Sequence, residues 1–201
     1  IEIIVLDNNS QERDSLRYFR KLQQEPDINV IRVPGEFNYS RLNNIGTKVA
    51  KGELLLLLNN DIEAIEKGWF EEMVSQVLRP EISCVGAKLL YPDETIQHAG
   101  VIGLSVGAGH AFRNTDNRSK INSGALNLVR NYSAVTAACL MVRKEVYKEV
   151  GGLDEVAFPV AYNDVDLCFR ANNSRFRNLW TPNACHIHAE SSSRGSDFVR
   201  E

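Results

Sequence analysis

The sequence predicts an α/β domain in which a mostly parallel β-sheet is flanked by helices. Three observations carry that prediction. From Ile1 to Tyr91, short apolar runs alternate with amphipathic stretches in the order βαβαβαβ, the pattern of strands joined by helical crossovers. The run Leu54 to Leu58 has no polar face at all, as expected of a strand covered on both sides. Two polar clusters, Asp7-Asn8-Asn9-Ser10 and Asn59-Asn60-Asp61-Ile62-Glu63, follow directly on apolar runs. Ligands of such sheets bind at the C-terminal strand ends.

Each element has its own signal. Ile1 to Leu6 reads as a buried strand running into a turn, with no initiator Met and no turn before it. It therefore reads as the interior of a longer chain. Asp14 to Gln24 has helical spacing, with Leu16, Phe19 and Leu22 on one face and Pro26 just beyond. Asn29 to Val33 is a strand closed by Pro34-Gly35, and Tyr39 to Ala50 a helix stopped at Lys51-Gly52. Glu53 to Leu58, Trp69 to Leu78 and Cys84 to Tyr91 follow as strand, helix and strand. Beyond them, Ile96 to Phe112 is rich in Gly and His and carries short strands, and Asn114 to Asn131 reads as a mobile polar loop. Ala134 to Val142 is a strand, and Lys144 to Val150 a helix stopped by Gly151-Gly152. A helix over Asp164 to Asn172, begun by Asn163, precedes a last strand, Leu179 to His188, and a polar loop, Glu190 to Gly195.

The bulk properties limit the classes of function. In 201 residues, 43% are hydrophobic and 24% charged, which suits one globular domain with a sizeable core. A net charge of −3 gives no electrostatic reason to expect nucleic acid as a partner. Five leucines in a row are too few to span a bilayer. Cys84, Cys139, Cys168 and Cys185 have no CxxC spacing and read as free thiols of a reducing compartment.

The candidate chemistry lies in carboxylates and histidines. The carboxylates of Asn59 to Glu63 follow a very apolar strand, where an unpaired charge is costly. They are either a strand-ending turn or oxygen ligands for a divalent cation. Asn163-Asp164-Val165-Asp166 opens a helix, so one acid can serve the helix dipole and cap. Asp166 fits that role, and Asp164 is the candidate general base. Asp7 is a turn residue or an acceptor for a nucleobase N–H. His186 and His188 alternate onto one face and are either metal ligands or ordinary buried histidines. Spacing assigns no role to His98 or His110.

In their order, these motifs resemble family 2 glycosyltransferases of the GT-A fold, a Rossmann-like architecture. The resemblance runs through Asp7 to Ser10, Phe37 to Gly46, Leu58 to Glu63, Ile96 to Gly100, Val135 to Arg143, Gly151 to Glu155, Tyr162 to Arg170 and His188 to Gly195. It covers nearly the whole chain and is nearest to rhamnosyltransferase-type enzymes of bacterial surface polysaccharides. It implies an inverting transfer from a UDP- or dTDP-linked nucleotide-sugar donor to a hydroxyl of a glycan or polysaccharide acceptor. Asp164 would be the base. Asp61, with His188, would hold Mg²⁺ or Mn²⁺, and Asp7, Asn9, Asn44, Asn59 and Asn60 would contact the donor. Trp180 and the 114–131 loop would shape the acceptor site.

On that reading, residues 1–201 form one domain, with a nucleotide-sugar half (1–95) and an acceptor and catalytic half (96–201). The expected location is the cytoplasm, at the inner face of the membrane through parts outside this chain. Three departures from the family pattern stand out. The family's first strand is missing before Ile1, Asn59 replaces the first acid of the usual Asp-x-Asp, and Asn163 replaces a Glu. A non-catalytic nucleotide-sugar or glycan-binding module is the alternative. A nucleotidyltransferase would show a Gly-rich phosphate loop, and none is seen.

Overall fold

The computed structural model describes residues 1–105, 107–119 and 121–189, with side chains described at all of these except 121–123. The first half supplies β1 (Ile3–Asp7), α1 (Arg13–Leu22), β2 (Ile28–Arg32), α2 (Tyr39–Val49), β3 (Leu54–Leu58), β4 (Ile62–Ala64), α3 (Trp69–Val77) and β5 (Ile82–Leu90). The second supplies β6 (Ile96–His98), β7 (Val101–Leu104), β8 (Gly107–His110), a short 3-10 helix (Ile121–Asn127), β9 (Arg130–Tyr132), β10 (Cys139–Arg143), α4 (Lys144–Glu149), α5 (Asn163–Asn173) and β11 (Arg177–His188).

The principal sheet has the order β3-β10-β5-β11-β4, with β6 on β5 and β9 on β11. β1 and β2 form a separate parallel pair, and β7 and β8 an antiparallel hairpin. The α/β class expected from the sequence is what the structure shows, but the pairing is more mixed than expected. β10 comes from the second half and inserts antiparallel between β3 and β5. β4 and β9 pair antiparallel with β11, and only β5–β11 is a parallel pair within this sheet. Because β10 opposes both neighbours, β3 and β5 run in the same direction, and β11 joins them. The C-terminal ends of β3 and β11 therefore lie on the same edge of the sheet.

β5 is buried along its whole length, as a strand covered on both faces is, and this includes its polar residues Ser83 and Lys88. One core layer packs α3, through Met73 and Val77, against Val85, Ala87 and Met141. The other packs α4 and α5, through Val146, Leu167 and Cys168, against Cys84, Leu140 and Trp180. All four cysteines are free and buried.

Several sequence expectations need correcting. The expected strand Ala134 to Val142 is regular only from Cys139; before it lie an isolated bridge, Val101 to Ala134, and a turn. Residues 114–131 are not a bare loop, since they include the 3-10 helix and β9, and Leu126 is 1% exposed in the core. β4 was not expected at all, because three residues are too few to show a two-residue period. Trp180 is fully buried, edge-on to Tyr132, and cannot line an acceptor surface. The polar loop expected at Glu190 to Gly195 lies outside the described residues.

Candidate active site

The cluster after β3 is built by strand pairing. β4 pairs with the end of β11, His188 opposite Ile62, and the Ala189 N–H donates to the Asp61 carbonyl at 3.1 Å. This places Asp61 Oδ1 3.1 Å from His188 Nε2. Asn59 Nδ2 is 3.4 Å from the same nitrogen.

Gln97 decides the state of that imidazole. Its Nε2 donates to the His188 carbonyl at 3.4 Å, which turns Oε1 toward His188 Nδ1 at 2.6 Å. Nδ1 therefore carries a proton. In the neutral ring, Nε2 then directs a lone pair toward Asp61, whose buried Oδ1 has no hydrogen bond of good geometry. Two electron-rich atoms converging in this way are what a cation would fit between. The other ring N–H of a metal-ligating histidine usually donates to an acceptor, as His188 Nδ1 does here to Gln97 Oε1, which fixes the ring. Among the described residues, no group of three or more His, Cys, Asp or Glu could hold a metal ion. This pair fits a divalent ion that takes its remaining ligands from phosphate oxygens and water, as Mg²⁺ commonly does.

His186 does not join His188. Its ring is fully buried, edge-on to Trp69 with centroids 4.7 Å apart, and both nitrogens lack partners. Burial pushes its pKa down to about 4.

Asp164 lies in the first turn of α5. Its Oδ2 accepts the Ala137 N–H at 2.9 Å and its Oδ1 the Val165 N–H at 2.8 Å, so the carboxylate is oriented through both oxygens. The expected cap differs. The residue before the helix is Tyr162, in the left-handed region at φ 60° and with no side-chain cap, while the Asn163 amide donates to the Val160 carbonyl. Asp166 is not a cap either. Its Oδ2 lies 2.6 Å from Arg170 Nη2, and Arg170 in turn donates to the Val150 and Gly152 carbonyls.

The turn at Thr136 to Ala138 joins the two sides; the sequence places it in a motif of the family resemblance but reads it as strand and gives it no role. The Ala138 carbonyl accepts the Asn59 N–H at 2.9 Å, beside the Asp61–His188 pair. The Ala137 N–H holds Asp164, and the Ala137 carbonyl accepts the Tyr39 hydroxyl at 2.8 Å. Gln97 was also missed, although it adjoins a histidine in a Gly- and His-rich stretch.

Asp7 and Asn9 form a second cluster at the ends of β1 and β2. Asp7 is 4% exposed; its Oδ1 accepts the Ser10 N–H at 2.8 Å, and its Oδ2 lies 3.4 Å from Arg32 Nη1. Asn9, at φ 63°, accepts from Arg32 Nη2 at 2.7 Å. Asn60 is exposed. Asn44 is placed otherwise than expected. Its amide donates to the Leu153 carbonyl and to Glu155, and accepts from the Tyr147 hydroxyl and the Leu153 N–H. These bonds engage the whole amide, so Asn44 fastens α2 to the Gly151-to-Glu155 turn and has no polar atom left for a ligand.

Fold and site together define a GT-A glycosyltransferase architecture. The chain belongs to glycosyl transferase family 2, whose model matches residues 1–151. It is 44% identical over 202 residues to the uncharacterized protein y4gI of Sinorhizobium fredii and 40% identical over 204 residues to the O-antigen biosynthesis protein RfbC of Myxococcus xanthus. Each alignment covers 100% of this chain but only 22% and 16% of those proteins, respectively. Among solved structures, GalNAc-T7 with UDP, GalNAc and Mn²⁺ superposes with a TM-score of 0.72 at 16% identity, covering 93% of this chain and 37% of that one. The mannosyltransferase PcManGT of Pyrobaculum calidifontis with GDP-Man and Mn²⁺ superposes with a TM-score of 0.64 at 13% identity, covering 96% and 48%.

Proposed function

We propose that this chain is a catalytic domain that moves a sugar, with inversion, from a UDP- or dTDP-linked donor to a hydroxyl of a glycan or polysaccharide acceptor. The observation that carries the reading is the convergence of Asp61 Oδ1 and His188 Nε2 on one point, on a turn shared with a doubly oriented Asp164. Asp61 and His188 would hold Mg²⁺ or Mn²⁺, which when bound neutralises charge developing on the departing diphosphate. Asp164 accepts the proton of the acceptor hydroxyl as its oxygen bonds to the anomeric carbon and the bond to the diphosphate breaks on the opposite face. The Ala137 and Val165 N–H groups hold the carboxylate for that proton.

Asn59 and Asn60 flank the diphosphate, and Asn9 faces the nucleoside. Asp7 Oδ2 accepts the N3–H that uracil and thymine both carry. The similarity to an O-antigen biosynthesis protein supports a surface polysaccharide as acceptor. A cytoplasmic position at the inner membrane face fits that role, and among the described residues no helix is long and apolar enough to cross a membrane.

The test is calorimetry of UDP, dTDP and GDP with Mn²⁺ or with EDTA, on wild type and Asp61→Ala. The pyrimidine diphosphates should bind at least about tenfold tighter with metal, and the variant should lose that gain. Equal affinity in Mn²⁺ and EDTA would refute the metal assignment. Tight donor binding without turnover would favour a binding module.

A further inference from the structure

His98 is fully buried, yet both of its ring nitrogens are engaged. The Thr136 N–H donates to its Nε2 at 3.4 Å, so the proton sits on Nδ1, which faces His110 Nδ1 at 2.9 Å. The ring is thereby fixed as a neutral tautomer. Burial above all, then His110 and His188, holds its pKa well below the ordinary histidine value. The peptide it grips is the one next to Ala137, whose N–H orients Asp164. Adjacent residues of a strand point to opposite faces, and β6 uses this: Gln97 fixes His188, and His98 fixes the turn under the base.

We infer that His98 is a positioning residue for Asp164, acting through the Val135–Thr136 peptide, which adjoins the one that carries the Ala137 N–H. Accepting from Thr136 removes the freedom of that turn to rotate, and so fixes where the Ala137 N–H points. The inference rests on the reading of Asp164 as the base. It gives His98 a role in turnover and none in holding the donor.

Two polar isosteres separate the ring's two contacts. In His98→Gln, the amide oxygen can take the place of Nε2 and keep Thr136. In His98→Asn, the amide N–H takes the place of the donating Nδ1, and the Thr136 N–H loses its acceptor. Turnover of the full chain is read as nucleoside diphosphate released with Mn²⁺ from UDP-glucose, dTDP-rhamnose or GDP-mannose. Donor binding is read with UDP or dTDP, and the turn by amide hydrogen exchange at Thr136 and Ala137.

His98→Gln should stay within a few-fold of wild-type kcat, while His98→Asn should lose about 10- to 100-fold. Nucleotide affinity should be unchanged in both, and exchange at the two amides should quicken only in His98→Asn. Equal kcat in the two variants, or a loss confined to donor affinity, would overturn the inference while leaving Asp164 as base. Failure of both variants to fold would also overturn it, by making His98 a packing residue. Wild type inert on every donor, or Asp164→Asn as active as wild type, would overturn the proposed function and this inference together.

Discussion

The side chains around the site divide into those left with unmet valence and those fully employed by the fold. Asp61 Oδ1 is buried without a good hydrogen bond, whereas Asn44 and Arg170 are saturated by backbone carbonyls and side chains. Asp166 belongs with the second group. Asp166→Asn removes the anion that aims Arg170 at two carbonyls, and should lower stability by about 0.5–2 kcal/mol in denaturant melts while leaving donor affinity unchanged.

His186 gives a pH dependence with a definite sign. Its folded pKa of about 4 lies below the ordinary histidine value of 6.5, so between those values the unfolded chain binds more protons. The stability tied to its neutral form is present above about pH 6.5 and is lost as pH falls toward 4, by up to about 3 kcal/mol. His186→Phe, which keeps a ring against Trp69, should flatten the acid limb of the melting profile. An unchanged limb would mean that other groups set it.

At the scale of elements, the decisive piece is the irregular one. Val135 to Ala138 looks like the start of a strand, since Ala, Val and Thr fill it, but its N–H groups at 136 and 137 are spent on His98 and Asp164. No local pattern announces such an employment, because the partners lie 38 and 27 residues away. The regular elements were legible for the opposite reason: the apolar face of α3 repeats with a helical period, and β3 and β5 are short, mostly apolar runs bounded by polar residues.

Gly86 supports the same turn. A Cβ there would meet Val135 Cβ at 2.4 Å, so Gly86→Ala must push Val135 away. Overpacking of this kind costs about 1–3 kcal/mol. The variant should melt earlier and, if Asp164 is the base, also lose kcat, because Val135 precedes the turn whose Ala137 N–H holds Asp164. A variant that loses stability and keeps full kcat would show that the turn is insulated from β5.

For the molecule as a whole, one sheet draws its strands from both halves of the chain. β10 and β11 come from the second half and lie on either side of β5, so Asp61 and His188, 127 positions apart in the sequence, meet on one edge. The sequence carried the class of fold and the strand-end clusters, and it offered Asp61, His188 and Asp164 as candidates, which the fold gathers around the Thr136-to-Ala138 turn. It could not show that β10 would run backwards through the sheet, since burial patterns carry no direction. Nor could it show that His186 and His188, two residues apart, would meet different surroundings, which depends on what α3 and β6 bring to each.

The assignment of Asp164 as the base of a glycosyl transfer, with the donor held elsewhere, is the centre of the proposed function. Its most direct measurement compares Asp164→Asn with wild type in the full chain, reading both turnover and calorimetric binding of UDP or dTDP with Mn²⁺. The predicted result is a loss of about 10²–10⁴-fold in kcat with nucleotide affinity unchanged within a few-fold. Turnover within a few-fold of wild type, or a kcat kept while nucleotide affinity collapses, would contradict it.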